Sequence, residues 1–254
     1  MTRKRIRTRT VVRTACSHGQ PIGHVPAGQV GPTACCQCCR SLFGHTDGAK
    51  PIDRQWCPAC RPQLLKLDLA CGQRKREGFT GIDKVALPTV DIVHDLLVFP
   101  WPLKDESTEE IWVSHWIEHI PMAEDAQGVD LLIRVMDEIH RVLVVGGTCT
   151  VTAPWWASVR AWQDPTHRRA ISDATFLYFN AQWRKDNALD HYPIRADFDF
   201  RPTYNVEVTL GQRNLETQAF WMRYYVNAIQ DVVVTLTKKG VEPPVVPTKA
   251  PPPG

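Results

Sequence analysis

Six of the nine cysteines in this 254-residue chain fall within 26 residues. They form Cys35-Cys36-Gln37-Cys38-Cys39 and Cys57-Pro58-Ala59-Cys60. Two thiolates three positions apart at a tight turn can reach one ion at about 2.3 Å, and two such turns complete a tetrahedron. Two registers are open for the first pair, Cys36/Cys39 or Cys35/Cys38, leaving 17 or 18 residues before the second pair. Either spacer matches the roughly 15–20 residues of a four-cysteine zinc site. Cys36, Cys39, Cys57 and Cys60 are preferred, because an Arg then follows the second Cys of each pair (Arg40, Arg61). These four are the expected ligands of a structural zinc ion in a ribbon-like module. Cys16 and His18 lack partners at ligand spacing, and Cys71 and Cys149 read as packed small hydrophobes.

A second constellation is LKLDLACGQRKREGFTGIDK, residues 65–84. It sets Asp68 inside one apolar run, Gly72 just after it, and Asp83 at the end of the next run. A glycine there lets backbone approach a ligand, and the second acid can accept both hydroxyls of a ribose. Neither G-x-G-x-x-G nor GxxxxGK[ST] occurs, so both common phosphate cradles are lacking. An adenosine cofactor without phosphates fits this layout better. A third pattern, His115-Trp-Ile-Glu118-His119, spells the H-x-x-E-H of inverted zincin proteases. That chemistry needs both His on one helix face, and Pro121 cuts any such helix short. A protease is therefore not expected.

The elements that must position these residues alternate along 62–240. Strands are expected at 65–70, 79–83, 91–94, 111–114 and 148–153. Between the last two, Val129, Leu132, Ile133, Met136, Ile139, Val142 and Leu143 form an apolar stripe, predicting an amphipathic helix over 125–143 ended by Gly146-Gly147. Strand–helix–strand order with short links predicts a mostly parallel sheet covered by helices. Further on, a short helix at 173–179, a strand at 204–210, a helix at 216–229 and a last strand at 232–237 are expected. Residues 1–34 read as a basic flexible arm, 35–61 as the zinc module, and 241–254, with six Pro in fourteen residues, as a disordered tail.

At this point the sequence resembles a family. LDLACG…GFTGID (67–83), DIVHDL (91–96), DESTEEIWVSHWIEHI (105–120), RVLVVGGTCTVTAPW (141–155) and DPTHRRAIS (164–172) resemble, in order and spacing, class I S-adenosylmethionine-dependent methyltransferases. The likeness is to the type-11-like group found in bacterial and phage genomes, and it covers about 110 residues. It implies a Rossmann-like α/β sheet of seven strands with one antiparallel, the last strand being the reversed one. It also implies site roles. Asp68, Ala70 and Gly72 would shape the methionine pocket, and Asp83 would bind the ribose hydroxyls. Asp95 and Leu96 would flank the adenine. Ser114 and His115 would line the methionine side and the acceptor mouth. Two departures stand out. Ala70 replaces the family's usual Gly, and the connector 73–78 replaces a longer glycine-rich loop with a helix.

Methyl transfer from a sulfonium is an in-line displacement, so the protein mainly orients and desolvates. A base is needed only where the acceptor must lose a proton early. His115, His119 and His167 are the candidate catalytic bases, with Asp164 orienting one of them. After the fourth strand this chain has SHWI rather than [DN]PP[YFW] or a Pro-Cys nucleophile. The two best-marked DNA methylation chemistries are therefore unsupported. Trp112, Trp116, Trp155, Trp156 and Trp162 cluster near the ends of strands four and five, as core, pocket wall or a stacking surface for a planar acceptor.

The net charge of +3 hides an asymmetry. Residues 1–61 carry ten Lys and Arg against two Asp and Glu, and residues 62–254 carry 20 against 25. A basic arm beside a zinc module is an electrostatic footprint for phosphate backbones, so nucleic acid is the partner to test. The competing acceptors are a small molecule, a glycan or a protein, and a non-catalytic binding protein could keep the same fold. No apolar run reaches the roughly 18–20 residues of a membrane span, and no secretory signal is read. A cytoplasmic location is expected, where unpaired thiols favour metal binding over disulfides.

Overall fold

The computed structural model describes residues 64–240. The expected arm, zinc module and proline-rich tail, and with them Cys36, Cys39, Cys57 and Cys60, lie outside the described residues. Seven strands form one sheet: β1 Leu65–Leu69, β2 Thr80–Asp83, β3 Ile92–Val93, β4 Thr108–Ser114, β5 Leu143–Pro154, β6 Phe198–Val206 and β7 Ile229–Lys238. Their order is β3-β2-β1-β4-β5-β7-β6. β1 to β5 pair in parallel, while β7 runs antiparallel to both β5 and β6. This is a Rossmann-like α/β sheet, mostly parallel with a single reversed strand, as expected.

β-strand side chains alternate between faces, and on one face the alternate residues are apolar and buried. Leu67, Leu69, Ile111, Val113, Cys149, Val151, Val232, Val234 and Leu236 are all buried in one cluster. Helix α1 (Leu131–Val142) packs on it through Leu132, Val135, Met136, Ile139 and Val142, a helical i, i+3, i+4 series. Truncating one of these to Ala would cost about 2–5 kcal/mol. The remaining helices are short: α2 Arg160–Gln163, α3 Ala181–Asp186, α4 Val208–Gly211 and α5 Leu215–Tyr224.

Several boundaries differ from expectation, each for a local reason. Helix α1 starts at 131, not 125. The Asp125 carboxylate accepts the Gln127 and Val129 N–H groups in a tight turn that closes on Gly128 at φ +74°. The Asp130 side chain then caps α1 by accepting the Leu132 N–H at 2.8 Å. Gly146-Gly147 does not end α1. The helix stops when Leu143 turns extended, and the glycines lie within β5, where the β4–β5 register shifts and Gly146 sits at φ +79°. β6 lies at 198–206 rather than 204–210, because Glu207 caps the short α4. Helix α5 ends at Tyr224, since Ile229 already belongs to β7. The 173–179 segment is a 3₁₀ helix.

Candidate cofactor and acceptor site

The residues expected to hold a cofactor gather at the carboxyl ends of β1, β2 and β4, where open α/β sheets bind ligands. β1 runs into Ala70 and Gly72, both left-handed at φ +54° and +51°. Such φ values cost a non-glycine residue strain. A Cβ placed on Gly72 would meet nothing within 4 Å, so its backbone faces open space. The Gly72 N–H donates to Asp83 Oδ2 at 3.0 Å, and the Val85 N–H donates to Asp83 Oδ1 at 2.9 Å. A carboxylate offers about four acceptor positions, so two remain for a diol.

Asp68 has a different task. It is 4% exposed, and its Oδ2 accepts the Arg76 N–H at 2.7 Å. Burial pushes the Asp68 carboxyl up from its ordinary pKa, against the pull of that N–H and of Arg76. The short connector 73–78 is thus tethered to β1. It is also tethered to Asp91, whose carboxylate accepts both the Lys75 ammonium and the Gly81 N–H. The Arg76 guanidinium sits 4.1 Å from the Trp112 ring centroid. Asp95 Oδ1 accepts the Leu97 N–H at 2.9 Å, and Leu96 is buried with its carbonyl taking the Trp101 indole N–H at 3.0 Å.

At the end of β4, Ser114 is exposed and His115 adopts φ +51°. The His115 N–H donates to the Thr152 carbonyl at 2.8 Å, which holds this strained residue against β5. Ile117–His119 form a single 3₁₀ turn that His115 precedes, so the two His of H-x-x-E-H do not share the face of one α-helix. His115 Nδ1 lies 3.5 Å from Glu118 Oε1, and this carboxylate raises the His115 pKa against the opposing effect of burial. His119 Nδ1 faces Thr166 Oγ1 at 3.0 Å, and its ring meets the His167 ring edge-on at 4.7 Å. The three candidate bases therefore surround Glu118 but do not share one partner.

Two buried acids beside the candidate site carry little sequence signal. Asp231, 5% exposed at the start of the reversed β7, registers with Pro154 and receives Arg160 Nη1 at 2.9 Å. The pair spans 71 positions, so no short motif announces it. Glu118 was read only as part of a motif, yet its side chain is 2% exposed and its carboxylate oxygens have no hydrogen-bond partner. Of the tryptophans, Trp155 packs edge-on against Tyr204, whereas Trp156 and Trp162 are exposed.

No family model matches the chain, and no curated protein does. Solved structures resemble it at low identity. A SAM-dependent methyltransferase from Archaeoglobus fulgidus is 16% identical over 70% of this chain and 88% of its own, with a TM-score of 0.46. One from Mesorhizobium loti is 14% identical over 69% and 91%, at 0.40. Geranyl diphosphate C-methyltransferase from Streptomyces coelicolor A3(2) is 16% identical over 70% and 72%, at 0.40.

Proposed function

We propose that the protein is an S-adenosylmethionine-dependent methyltransferase. The observation that carries this reading is the Gly72–Asp83 arrangement at the carboxyl ends of β1 and β2, in a sheet of order β3-β2-β1-β4-β5-β7-β6. The residues fit the cofactor: Gly72 opens onto free space, and Asp83 keeps acceptor positions for a ribose diol. When bound, S-adenosylmethionine supplies a sulfonium methyl already activated for displacement. Asp83 would accept the two hydroxyls, and Asp95 and Leu96 would flank the base. Ser114 and His115 would face the incoming acceptor. Calorimetry with S-adenosylmethionine tests the binding, and absence of a signal at millimolar concentration overturns it. Tritiated methyl transfer into fractionated RNA, DNA, protein and small molecules identifies the acceptor class.

Our acceptor of first choice is a nucleic acid, gripped by the basic arm and by a zinc module of Cys36, Cys39, Cys57 and Cys60. The support is charge: residues 1–61 carry an excess of eight positive charges. Deleting residues 1–13 is expected to weaken RNA or DNA binding and flatten its salt dependence. Unchanged binding favours a small-molecule, glycan or protein acceptor, with the zinc purely structural. The net −5 of residues 62–254 supports that second reading. No helix among the described residues is long and apolar enough to cross a membrane.

A further inference from the structure

We propose that Glu118, His119 and His167 form a binding site for a divalent transition-metal cation, separate from the cysteine module. One ligand atom from each of the three lies within 4.8 Å of the others. Ligands about 2.1 Å from one ion stand about 3–4 Å apart, so side-chain shifts of under about 1 Å close the site.

Glu118 supplies the strongest observation. Its side chain is 2% exposed, and neither carboxylate oxygen has a hydrogen-bond partner. Burying an unpaired carboxylate is expensive, so such a group needs a counter-charge. The nearest is His115 Nδ1 at 3.5 Å, too far for a good hydrogen bond and on a half-exposed ring. A cation between Glu118 and the two imidazoles would meet that need directly.

The histidines are prepared in the manner of metal ligands, whose second ring nitrogen usually donates to a fixed acceptor. His167 Nδ1 faces the Ala161 carbonyl at 3.1 Å, which can only accept, so a neutral ring holds its proton on Nδ1 and offers Nε2, 3.9 Å from Asp164 Oδ2, to a metal. The Thr166 hydroxyl donates to Asp164 Oδ1 at 2.7 Å, so it accepts from His119 Nδ1 at 3.0 Å. His119 Nε2 is thereby also left with a lone pair. The backbone fixes the pieces together: the Glu118 carbonyl accepts the N–H groups of Arg168 at 2.7 Å and Arg169 at 3.1 Å. Two imidazoles with one carboxylate favour zinc, manganese or cobalt over magnesium or calcium. Three protein ligands leave positions open for an oxygen of water or of an acceptor. Use of the ion in methyl transfer rests on the proposed function; its binding does not.

The test is Mn²⁺ uptake by the full-length, zinc-loaded protein, read by the loss of the free-ion electron paramagnetic resonance signal, with no cofactor or acceptor present. Loading is limited to one equivalent of zinc, which the thiolates take in preference, so the oxygen–nitrogen site is left to Mn²⁺. One saturable Mn²⁺ per chain is expected, weakened at least about tenfold in both Glu118→Gln and His167→Ala. The near-isosteric Glu118→Gln removes a buried charge, so its metal-free protein should melt no lower than the wild type while losing the metal-induced rise in melting temperature. Cobalt substitution should give ligand-field absorption from this site that disappears in His167→Ala. Equal Mn²⁺ uptake by wild type and both variants, or no saturable uptake by the wild type, overturns the proposal. Should His167→Ala fail to fold, Glu118→Gln alone decides.

Discussion

The Gly72 N–H points at Asp83 Oδ2 from 3.0 Å, tying the turn after β1 to the last residue of β2. The bond orients the carboxylate across the mouth between the two strands. Replacing Asp83 by Ala should lower S-adenosylmethionine affinity by about tenfold to a hundredfold, roughly two lost charge-assisted hydrogen bonds. Asp83→Asn, which keeps one acceptor oxygen, should fall between. Calorimetric titration of both variants measures the order. Equal affinities in all three proteins would remove Asp83 from the site.

Ala70 is the departure from the family pattern that carries backbone strain, at φ +54°. Ala70→Gly should relieve about 1–2 kcal/mol of strain. Against this stands about 0.4–1 kcal/mol from the freer unfolded chain. A net gain of about 0.5–1 kcal/mol is expected in urea unfolding. A loss would mean that the Ala70 methyl packs better than its φ suggests.

Asp130 serves two elements at once. Oδ1 caps helix α1 through the Leu132 N–H, and Oδ2 receives Arg169 Nη2 at 2.8 Å. Asp130→Ala should cost about 1–2 kcal/mol in urea unfolding, mostly the lost cap. Asp130→Asn retains a capping oxygen and should cost less than half of that.

His140 makes stability depend on pH. Its ring packs edge-on against Phe198, and burial, helped by the nearby Lys238 charge, pushes its pKa down to about 4. In the unfolded chain it would titrate near its ordinary value of about 6.5. Between these values the unfolded state binds a proton that the folded state refuses. Stability is therefore intact above about pH 6.5, falls as pH drops towards 4, and levels off below. Between pH 7 and 5 the loss should be about 2 kcal/mol, at 1.36 kcal/mol per pH unit across the window. Urea midpoints for the wild type and His140→Gln measure it, and an equal slope in both would assign the loss elsewhere.

Legibility in the sequence followed locality. The strand after 65, the glycine turn and the acid ending β2 were readable because each depends on neighbours within about twenty residues. The α1 stripe was readable for the same reason, since apolar residues recur at helical spacing. Its start was not, because Asp125 and Asp130 are both plausible caps and only the turn at Gly128 chooses between them. Gly146-Gly147 misled because a glycine pair after a helical stripe resembles a helix stop, whereas here it bends a strand. The Arg160–Asp231 pair depends on the reversal of β7, which brings residues 71 apart to one end of the sheet. The importance of Glu118 depends on its burial, which H-x-x-E-H does not encode.

The backbone bonds from Arg168 and Arg169 to the Glu118 carbonyl bear on how this mouth opens. A loop after a strand end is often the hinged cover of an active site. Here residues 164–169 are laced to the turn at 117–119, and Arg169 further grips the Ile120 and Pro121 carbonyls. A displacement of the 164–169 loop would therefore carry the turn at 117–119 with it, as one piece.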